Sequence, residues 1–205
     1  MEMKGYYKEF FLFPDITVLL VLIVGSIGWQ VWSGLTWGEY AVFAFGMLTF
    51  MFSEYLTHRF VFHLKPPKNP FLLKMLKRLH YDHHSHPDNL HLLFLPLWYS
   101  LPNLSVLAII FYIIVGSWGL TLAFSSGLMM MLFLYEWKHY VAHRPIKPRT
   151  KFGKWVKKTH ILHHFKNENF WYGVSTPLVD VLFGTLKNEK EVETSKTAKD
   201  LEKRV

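Results

Sequence analysis

The chain has 205 residues, enough for one domain, and combines 51% hydrophobic residues with a formal net charge of +8. It contains no cysteine, which excludes disulfide bonds and metal sites built on thiolates. Lys and Arg are absent between residues 9 and 58 and between residues 79 and 137. The positive charge therefore flanks two long apolar stretches. This pattern favours a membrane protein, and no nucleic-acid partner is needed to explain the charge.

Each apolar stretch is long enough for a hairpin of two transmembrane helices, since one helix needs about 20 apolar residues. The predicted spans are residues 16–32, 40–56, 95–115 and 119–140. A segment such as ITVLLVLIVGSIGW has no polar face for water, which disfavours the buried helices of a soluble bundle. The predicted fold class is all-α, a polytopic membrane protein with four transmembrane helices and a cytoplasmic helical cap.

The orientation of the spans follows from the distribution of basic residues. Six lie in segment 59–78 and nine in segment 138–166, whereas the turns at 33–36 and 116–117 contain none. By the positive-inside rule, both termini and the two basic segments are expected in the cytoplasm. Residues 188–205 are charged and nearly free of large apolar side chains, which predicts a mobile tail after a single membrane-embedded domain at residues 1–187.

Ten of the 12 histidines form one pattern that occurs twice. Each copy is a spaced pair, then sixteen residues, then the motif H-x-x-H-H. The first copy comprises His58, His63, His80, His83 and His84, and the second comprises His139, His143, His160, His163 and His164. Two sets of five imidazoles suffice to hold two metal ions, although the spacing does not choose among zinc, copper, iron and nickel. His86 and His91 fall outside the repeat and are interpreted as loop or interfacial residues.

Each spaced pair lies at the cytoplasmic end of a predicted hairpin, and each H-x-x-H-H lies on a basic amphipathic segment suited to the membrane interface. Helical residues i and i+4 share a face, so His80 pairs with His84 and His160 pairs with His164. The remaining histidine of each motif is displaced by about 100° and can reach the metal of the other helix. This crossing hypothesis predicts two sites of five imidazoles. One contains His58, His63, His80, His84 and His163, and the other contains His83, His139, His143, His160 and His164.

Two acidic residues of the predicted spans, Glu54 and Glu136, lie about one helical turn from a histidine. An unpaired acid in lipid is energetically expensive. These carboxylates are therefore predicted to accept a proton from a ligand imidazole and to orient its ring. Asp180 and Asn169, which follow the last histidine motif, are predicted to do the same from the cap.

With these motifs, the chain resembles the fatty acid hydroxylase/sterol desaturase superfamily over about residues 40–187. The four ordered histidine motifs on a four-helix membrane protein carry this resemblance. Segment HHFKNENFWYGVSTPLVDVLFGT, residues 163–185, resembles the closing signature of that family. The segments HRFVFH and HHSHPDNLHLLFLPL look most like the fatty acid 2-hydroxylase branch, although residues 85–92 match it only approximately.

The resemblance implies a non-haem di-iron oxygenase that uses dioxygen to hydroxylate a lipid acyl chain taken from the bilayer. Because the predicted metal sites lie at the cytoplasmic interface, the carbon attacked is expected near the carboxyl end of that chain. The sequence lacks the haem-carrying domain that is fused to some members, so the expected electron donor is a separate carrier protein. Zinc in the purified protein would remain compatible with iron as the native metal.

Two alternatives stay open at this point. Among enzymes, the substrate can be a sterol or carotenoid, and the reaction a hydroxylation or a desaturation. In a different class, the same imidazoles can serve a membrane metal transporter or sensor. The second alternative is disfavoured, because the middle of the spans has no ionisable residues to line a permeation path.

Overall fold

The computed structural model describes residues 3–204, and every regular element among them is helical. The α-helices, in chain order, are α1 (Met3–Phe11), α2 (Pro14–Ser33), α3 (Trp37–Thr57), α4 (Pro70–Leu76), α5 (Asp82–Ser85), α6 (Leu90–Leu93), α7 (Leu97–Val115), α8 (Trp118–His143), α9 (Lys151–Phe165) and α10 (Leu178–Leu182). Two π-helical turns occupy His58–Phe62 and Lys77–Tyr81, and a 3₁₀ turn occupies Leu201–Lys203. The chain divides into a first unit, Met1–Phe50 with Leu95–Tyr135, and a second unit, Met51–Phe94 with Glu136–Val205.

Four helical segments of the described chain are long and apolar enough to cross a membrane. They are Pro14–Ser33, Trp37–Phe62, Leu90–Val115 and Trp118–His143. Each contains most or all of one predicted span and extends beyond it at one or both ends. The prediction of an all-α membrane protein with four spans is therefore confirmed.

In the first unit, α3 and α8 approach so closely that only glycine fits at two positions. A Cβ atom on Gly46 would lie 2.3 Å from the carbonyl oxygen of Phe124, and one on Gly127 would lie 2.0 Å from that of Phe43. Small residues at such crossings let transmembrane backbones pack against each other. Both helices continue along the chain into the second unit, where α8 carries His139 and His143 and the π-helical turn after α3 carries His58.

A buried polar contact joins α2 to α8 in the first unit. The side-chain amide of Gln30 donates to Ser126 Oγ at 2.8 Å, and Ser126 Oγ donates to Ser26 Oγ at 3.0 Å. These groups satisfy one another where lipid offers no hydrogen-bond partner. The contact fixes the register of α2 against α8.

In the second unit, a lysine connects the start of α9 to the end of α8. Thr150 caps α9, because its hydroxyl accepts the backbone N–H of Gly153 at 3.0 Å. About two turns into α9, Lys157 Nζ donates to three carbonyl oxygens at 2.7–3.0 Å, those of Val141, Arg144 and Ile146. The bond to Val141 satisfies a carbonyl in the last turn of α8, and the other two satisfy carbonyls of the loop that follows it. They also hold two histidine-bearing helices together.

The C-terminal segment, whose composition predicts a mobile tail, has buried side chains and backbone hydrogen bonds in the structure. Within the described residues 188–204, three apolar side chains turn inward, those of Val192 (9% exposed), Ala198 (2%) and Leu201 (0%). The backbone N–H of Ser195 donates to the carbonyl of Lys166 at 2.7 Å. Average composition hides this arrangement, because three well-placed apolar residues are enough to anchor an otherwise charged segment.

Candidate metal centre

A π-helical turn brings the first spaced pair, His58 and His63, onto one face. In an α-helix, residues five apart point about 140° away from each other. Here the backbone N–H of His63 donates to the carbonyl of His58 at 3.2 Å, the i+5 to i bond that defines a π-helix. The second pair, His139 and His143, is spaced by four and lies in regular α8. The π-turn therefore absorbs the extra residue of the first motif.

The ten repeated histidines form two clusters in the second unit, and one ring nitrogen of each histidine lies within 4.8 Å of those of its cluster. The first cluster is His58, His63, His80, His84 and His163, and the second cluster is His83, His139, His143, His160 and His164. This is the grouping of the crossing hypothesis, with His83 and His163 exchanged between the two copies. His86 and His91 are exposed and belong to neither cluster.

The spacing of the ring nitrogens suits a bound metal ion. In the first cluster, His80 Nε2 lies 2.9–3.2 Å from three other Nε2 atoms, those of His58, His63 and His84. In the second cluster, the Nε2 pairs His83–His139 and His143–His160 are each 2.8 Å apart. Nitrogens bound at about 2.0–2.1 Å to one ion, at right angles, are about 3.0 Å apart. The observed distances match this value.

Three rings of the first cluster are held by hydrogen bonds from Nδ1, the nitrogen that points away from the cluster centre. The bonds are His58 Nδ1 to the carbonyl of Tyr172 (2.5 Å), His84 Nδ1 to that of Ala198 (2.7 Å) and His163 Nδ1 to that of Phe170 (2.8 Å). A carbonyl oxygen only accepts, so Nδ1 carries the hydrogen and the Nε2 of the neutral ring presents a lone pair. Three lone pairs therefore face one small volume, and a cation there satisfies them together.

The protonation of the rings is also suited to metal binding. Burial lowers the pKa of His80, His163 and His164 well below the ordinary value, and neighbouring imidazoles lower it further. Burial likewise lowers the pKa of His84 to about 3. These rings are neutral at physiological pH, and the neutral imidazole is the form that ligates metals.

In the second cluster, the buried ring of His164 has no hydrogen-bond partner for either nitrogen among residues 3–204. An unsatisfied buried polar atom costs about 1–3 kcal/mol. A metal ion removes part of this penalty by accepting one nitrogen lone pair. The ring of His164 stacks on that of His84, with centroids 4.0 Å apart and planes inclined by 16°. The two clusters thus touch through one ring of each.

Glu54 is buried, but its contacts are with a backbone loop and not with the ring of His58. Its carboxylate accepts the N–H of Val174 at 3.1 Å and that of Ser175 at 3.3 Å. The same loop supplies the Tyr172 carbonyl that holds His58. Glu54 therefore supports the loop that orients the histidine, one step further from the ring than the sequence predicted.

Asp180 binds the other end of this loop. Its carboxylate accepts the N–H groups of Tyr172 and Gly173, each at 2.8 Å, and the hydroxyl of Thr185 at 2.7 Å. A Cβ atom on Gly173 would lie 2.7 Å from this carboxylate, so glycine permits the approach. Asp180, like Glu54, holds the loop rather than a histidine ring.

The other two residues predicted to orient a ligand imidazole are Glu136 and Asn169. Glu136 is buried one turn before His139 in α8. Asn169 has no contact with a histidine ring in the described hydrogen bonds, since its side-chain oxygen accepts from Arg204 Nη2 at 2.9 Å. Arg204 in turn donates to the carbonyl of His63 at 2.8 Å. The arginine was not singled out from the sequence, because it lies in the charged C-terminal segment.

Trp171 was also not singled out from the sequence. It determines the path of the loop at the first cluster. Its φ of 58° is left-handed, which is rare for a residue with a side chain. The turn lies between Phe170 and Tyr172, whose carbonyls both accept histidine Nδ1–H groups. Its indole N–H donates to the carbonyl of Lys187, and its backbone N–H donates to that of Thr185. Nothing in the local sequence pattern signals this conformation.

The fold and the clusters define the class: an integral membrane protein with a buried, histidine-rich centre that can hold metal. Residues 43–185 match the sequence model described as fatty acid hydroxylase. The chain belongs to the fatty acid hydroxylase family.

Similar proteins include the fatty acid 2-hydroxylase of Rattus norvegicus, which is 35% identical over 73% of this chain. The match spans 40% of that relative, so this chain covers about two fifths of the mammalian protein. The dihydroceramide fatty acyl 2-hydroxylase FAH2 of Arabidopsis thaliana is 32% identical over 86% of this chain and 73% of the relative. The solved structure titled full length scs7p, with only the hydroxylase domain visible, shares the fold. Its TM-score is 0.76 at 23% identity, covering 88% of this chain and 67% of that one.

Proposed function

We propose that this protein is a membrane di-iron oxygenase that hydroxylates a lipid acyl chain at the carbon next to the carboxyl group. The reaction consumes one dioxygen, two electrons and two protons, and it converts a C–H bond to C–OH with release of one water. The observation that carries the proposal is the convergence of ten imidazoles into two buried clusters. The names of relatives, fatty acid 2-hydroxylase and dihydroceramide fatty acyl 2-hydroxylase, support the reaction and the substrate class.

In this proposal, the five histidines of each cluster hold one metal ion. When bound, a redox-active metal supplies the dioxygen activation that no amino-acid side chain can perform. Iron is proposed because imidazole ligands suit it and because zinc has no redox chemistry. The chain contributes the orientation of the ligands, since backbone carbonyls hold three rings with their Nε2 atoms inward. Burial of the clusters excludes bulk water from the centre.

The position of the centre along the spans supports attack near the carboxyl end. His58 lies in the last turns of the candidate span Trp37–Phe62, and His143 is the last residue of Trp118–His143. Residues at the end of a span lie at headgroup depth, where the carboxyl or amide end of an acyl chain also lies. A substrate held this way presents its first carbons to the metals and leaves its methyl end in the bilayer.

The proposal also covers the orientation of the chain in the membrane and the source of the electrons. Positive charge concentrates in segments 59–78 and 138–166, which we place in the cytoplasm together with both termini. A basic surface attracts an acidic partner, so we propose a separate acidic carrier protein as electron donor. Such a surface is provided by exposed Lys147 and Arg149 in the loop before α9 and by exposed Lys151 and Lys154 in its first turn.

The alternatives have less support. The relatives named above are acyl-chain hydroxylases by name, which favours an acyl chain over a sterol or carotenoid. A transporter or sensor requires ligands that release or relay the ion. The five first-cluster rings are instead buried, and backbone carbonyls fix three of them through Nδ1.

The test is expression with a suitable electron donor under ¹⁸O₂, followed by mass spectrometry of the lipids. We expect acyl chains that carry one labelled oxygen at the second carbon. The His163→Ala/His164→Ala variant should lack them, whereas the matched control His86→Ala/His91→Ala should form them at the wild-type level. Oxygen incorporation into an added sterol with unchanged acyl chains would refute the substrate, and metal flux without any lipid oxidation would refute the enzyme.

A further inference from the structure

We propose that the C-terminal segment, residues 188–204, is part of the first metal site, where it fixes the ring of His84. The inference rests on the proposed function, because it assumes that the clusters bind metal. The segment lies beyond residues 43–185, which match the family. It therefore adds a component to the centre that the family match does not cover.

Two consecutive carbonyls of the segment face the last turn of α5. His84 Nδ1 donates to the carbonyl of Ala198 at 2.7 Å, and Ser85 Oγ donates to that of Lys199 at 3.0 Å. The Ala198 carbonyl sets the tautomer of His84, because it leaves the hydrogen on Nδ1 and the lone pair on Nε2. It also fixes the rotation of the ring toward the cluster.

Buried contacts and one ion pair hold these carbonyls in place. Leu201 is fully buried, and the side chain of Ala198 is 2% exposed. On the surface, Lys77 Nζ lies 2.8 Å from a carboxylate oxygen of Glu202. An exposed ion pair contributes little stability, so the principal anchor of the segment is the buried leucine.

The end of the segment reaches a second ligand of the same cluster. Arg204 Nη1 donates to the carbonyl of His63 at 2.8 Å, and its Nε lies 3.7 Å from the carboxylate of buried Glu168. That carboxylate also accepts the hydroxyl of Thr197, within the segment. The segment thus contacts the first cluster at two of its five histidines.

The repeat supplies an internal comparison for this role. His84 and His164 hold equivalent positions, as the last histidines of the two copies. His84 Nδ1 has the Ala198 carbonyl as its partner, whereas His164 Nδ1 has none within residues 3–204. The segment therefore makes the two sites unequal, and its loss should weaken the first site alone.

The test measures metal retention in detergent-purified protein, with Leu201→Asp to release the segment and Arg204→Ala as a milder variant that keeps the leucine anchor. The matched control is Lys203→Ala, because the exposed Lys203 pairs with Asp200 inside the segment. Protein loaded with Co²⁺ is challenged with a chelator, and the release of each ion is followed by absorption and metal analysis. Removing a group that orients a ligand weakens metal affinity by about 10–100-fold.

Each change is then combined with the loss of one cluster. In a His160→Ala/His164→Ala background, only the first cluster retains its ion, and Leu201→Asp should speed its release by about tenfold or more. In a His80→Ala/His84→Ala background, the same change should leave the release rate within twofold. Equal acceleration in both backgrounds, or none in either, would overturn the inference while the proposed function stands. Wild-type protein that binds no Co²⁺ would instead refute the metal centre itself.

Discussion

Trp171 shows how a single residue conformation serves the centre. The left-handed turn at Trp171 lies between Phe170 and Tyr172, whose carbonyls accept the Nδ1–H groups of His163 and His58, two rings of the first cluster. The left-handed conformation costs a residue with a Cβ atom about 1–2 kcal/mol. Burial of the indole and its bond to the Lys187 carbonyl offset this strain.

A pair of substitutions at this position separates the strain from the packing. Trp171→Ala and Trp171→Gly both remove the buried ring, but only glycine adopts positive φ without strain. We expect both variants to be less stable than wild type, with Trp171→Gly more stable than Trp171→Ala by about 1 kcal/mol. Chemical denaturation followed by circular dichroism measures the difference. An alanine variant more stable than the glycine variant would show that the left-handed turn is not required.

At the residue scale, some of the observed groupings follow from the sequence and some of the observed contacts do not. The exchange of His83 and His163 between clusters followed from the angular spacing of helical residues, which the sequence contains. The contacts of Glu54 and Asp180 did not follow, because they depend on a loop path set by tertiary packing. A buried acidic residue close to a histidine in the sequence indicates that its carboxylate has a hydrogen-bond partner. The sequence does not indicate which group that partner is.

At the scale of elements, the two copies of the repeat differ by one residue, and one π-turn absorbs that difference. The spaced pair has five-residue spacing in the π-turn His58–Phe62 and four-residue spacing in regular α8. The spans and the basic segments were predictable from hydropathy and proline breaks. The π-turns were not, because a surplus residue in a helix can also be accommodated by a bulge, a kink or a shift of the following loop.

Deletion of Val61 tests whether the π-turn accommodates the additional residue between His58 and His63. It converts the first spacing to four residues, so a regular α-helix can present both histidines on one face. We expect two metal ions to be retained per chain, with the shift taken up in the loop that precedes α4. Deletion of Val141 from regular α8 instead rotates His143 by about 100°, and one ion should be lost. The metal-to-protein ratio of the two deletions distinguishes the outcomes, and an ion lost from the first deletion would contradict the interpretation.

At the scale of the whole molecule, charge and hydropathy predict how the chain crosses the membrane. The four long apolar helices support membrane insertion, and the distribution of basic residues predicts the sidedness. The sidedness therefore stays a prediction to be measured in membranes.

The absence of cysteine from the chain makes that measurement direct. Single cysteines at Ser33 and Ser117, in the turns between spans, should react with an impermeant thiol reagent added to intact cells. Those at Lys68 and Lys190 should react only after permeabilisation, because we place both segments in the cytoplasm. Labelling of the Lys68→Cys variant in intact cells would contradict the predicted topology.

The stacked rings of His84 and His164 have a consequence for the order in which the centre is assembled. Before any metal arrives, His84 is already oriented by a backbone carbonyl, so the first cluster should capture the first ion. That ion then immobilises the flat face against which His164 rests at 4.0 Å. Substoichiometric Co²⁺ should accordingly give a spectrum that the His80→Ala/His84→Ala variant cannot produce. We therefore expect a half-loaded intermediate in which the first site is filled before the second.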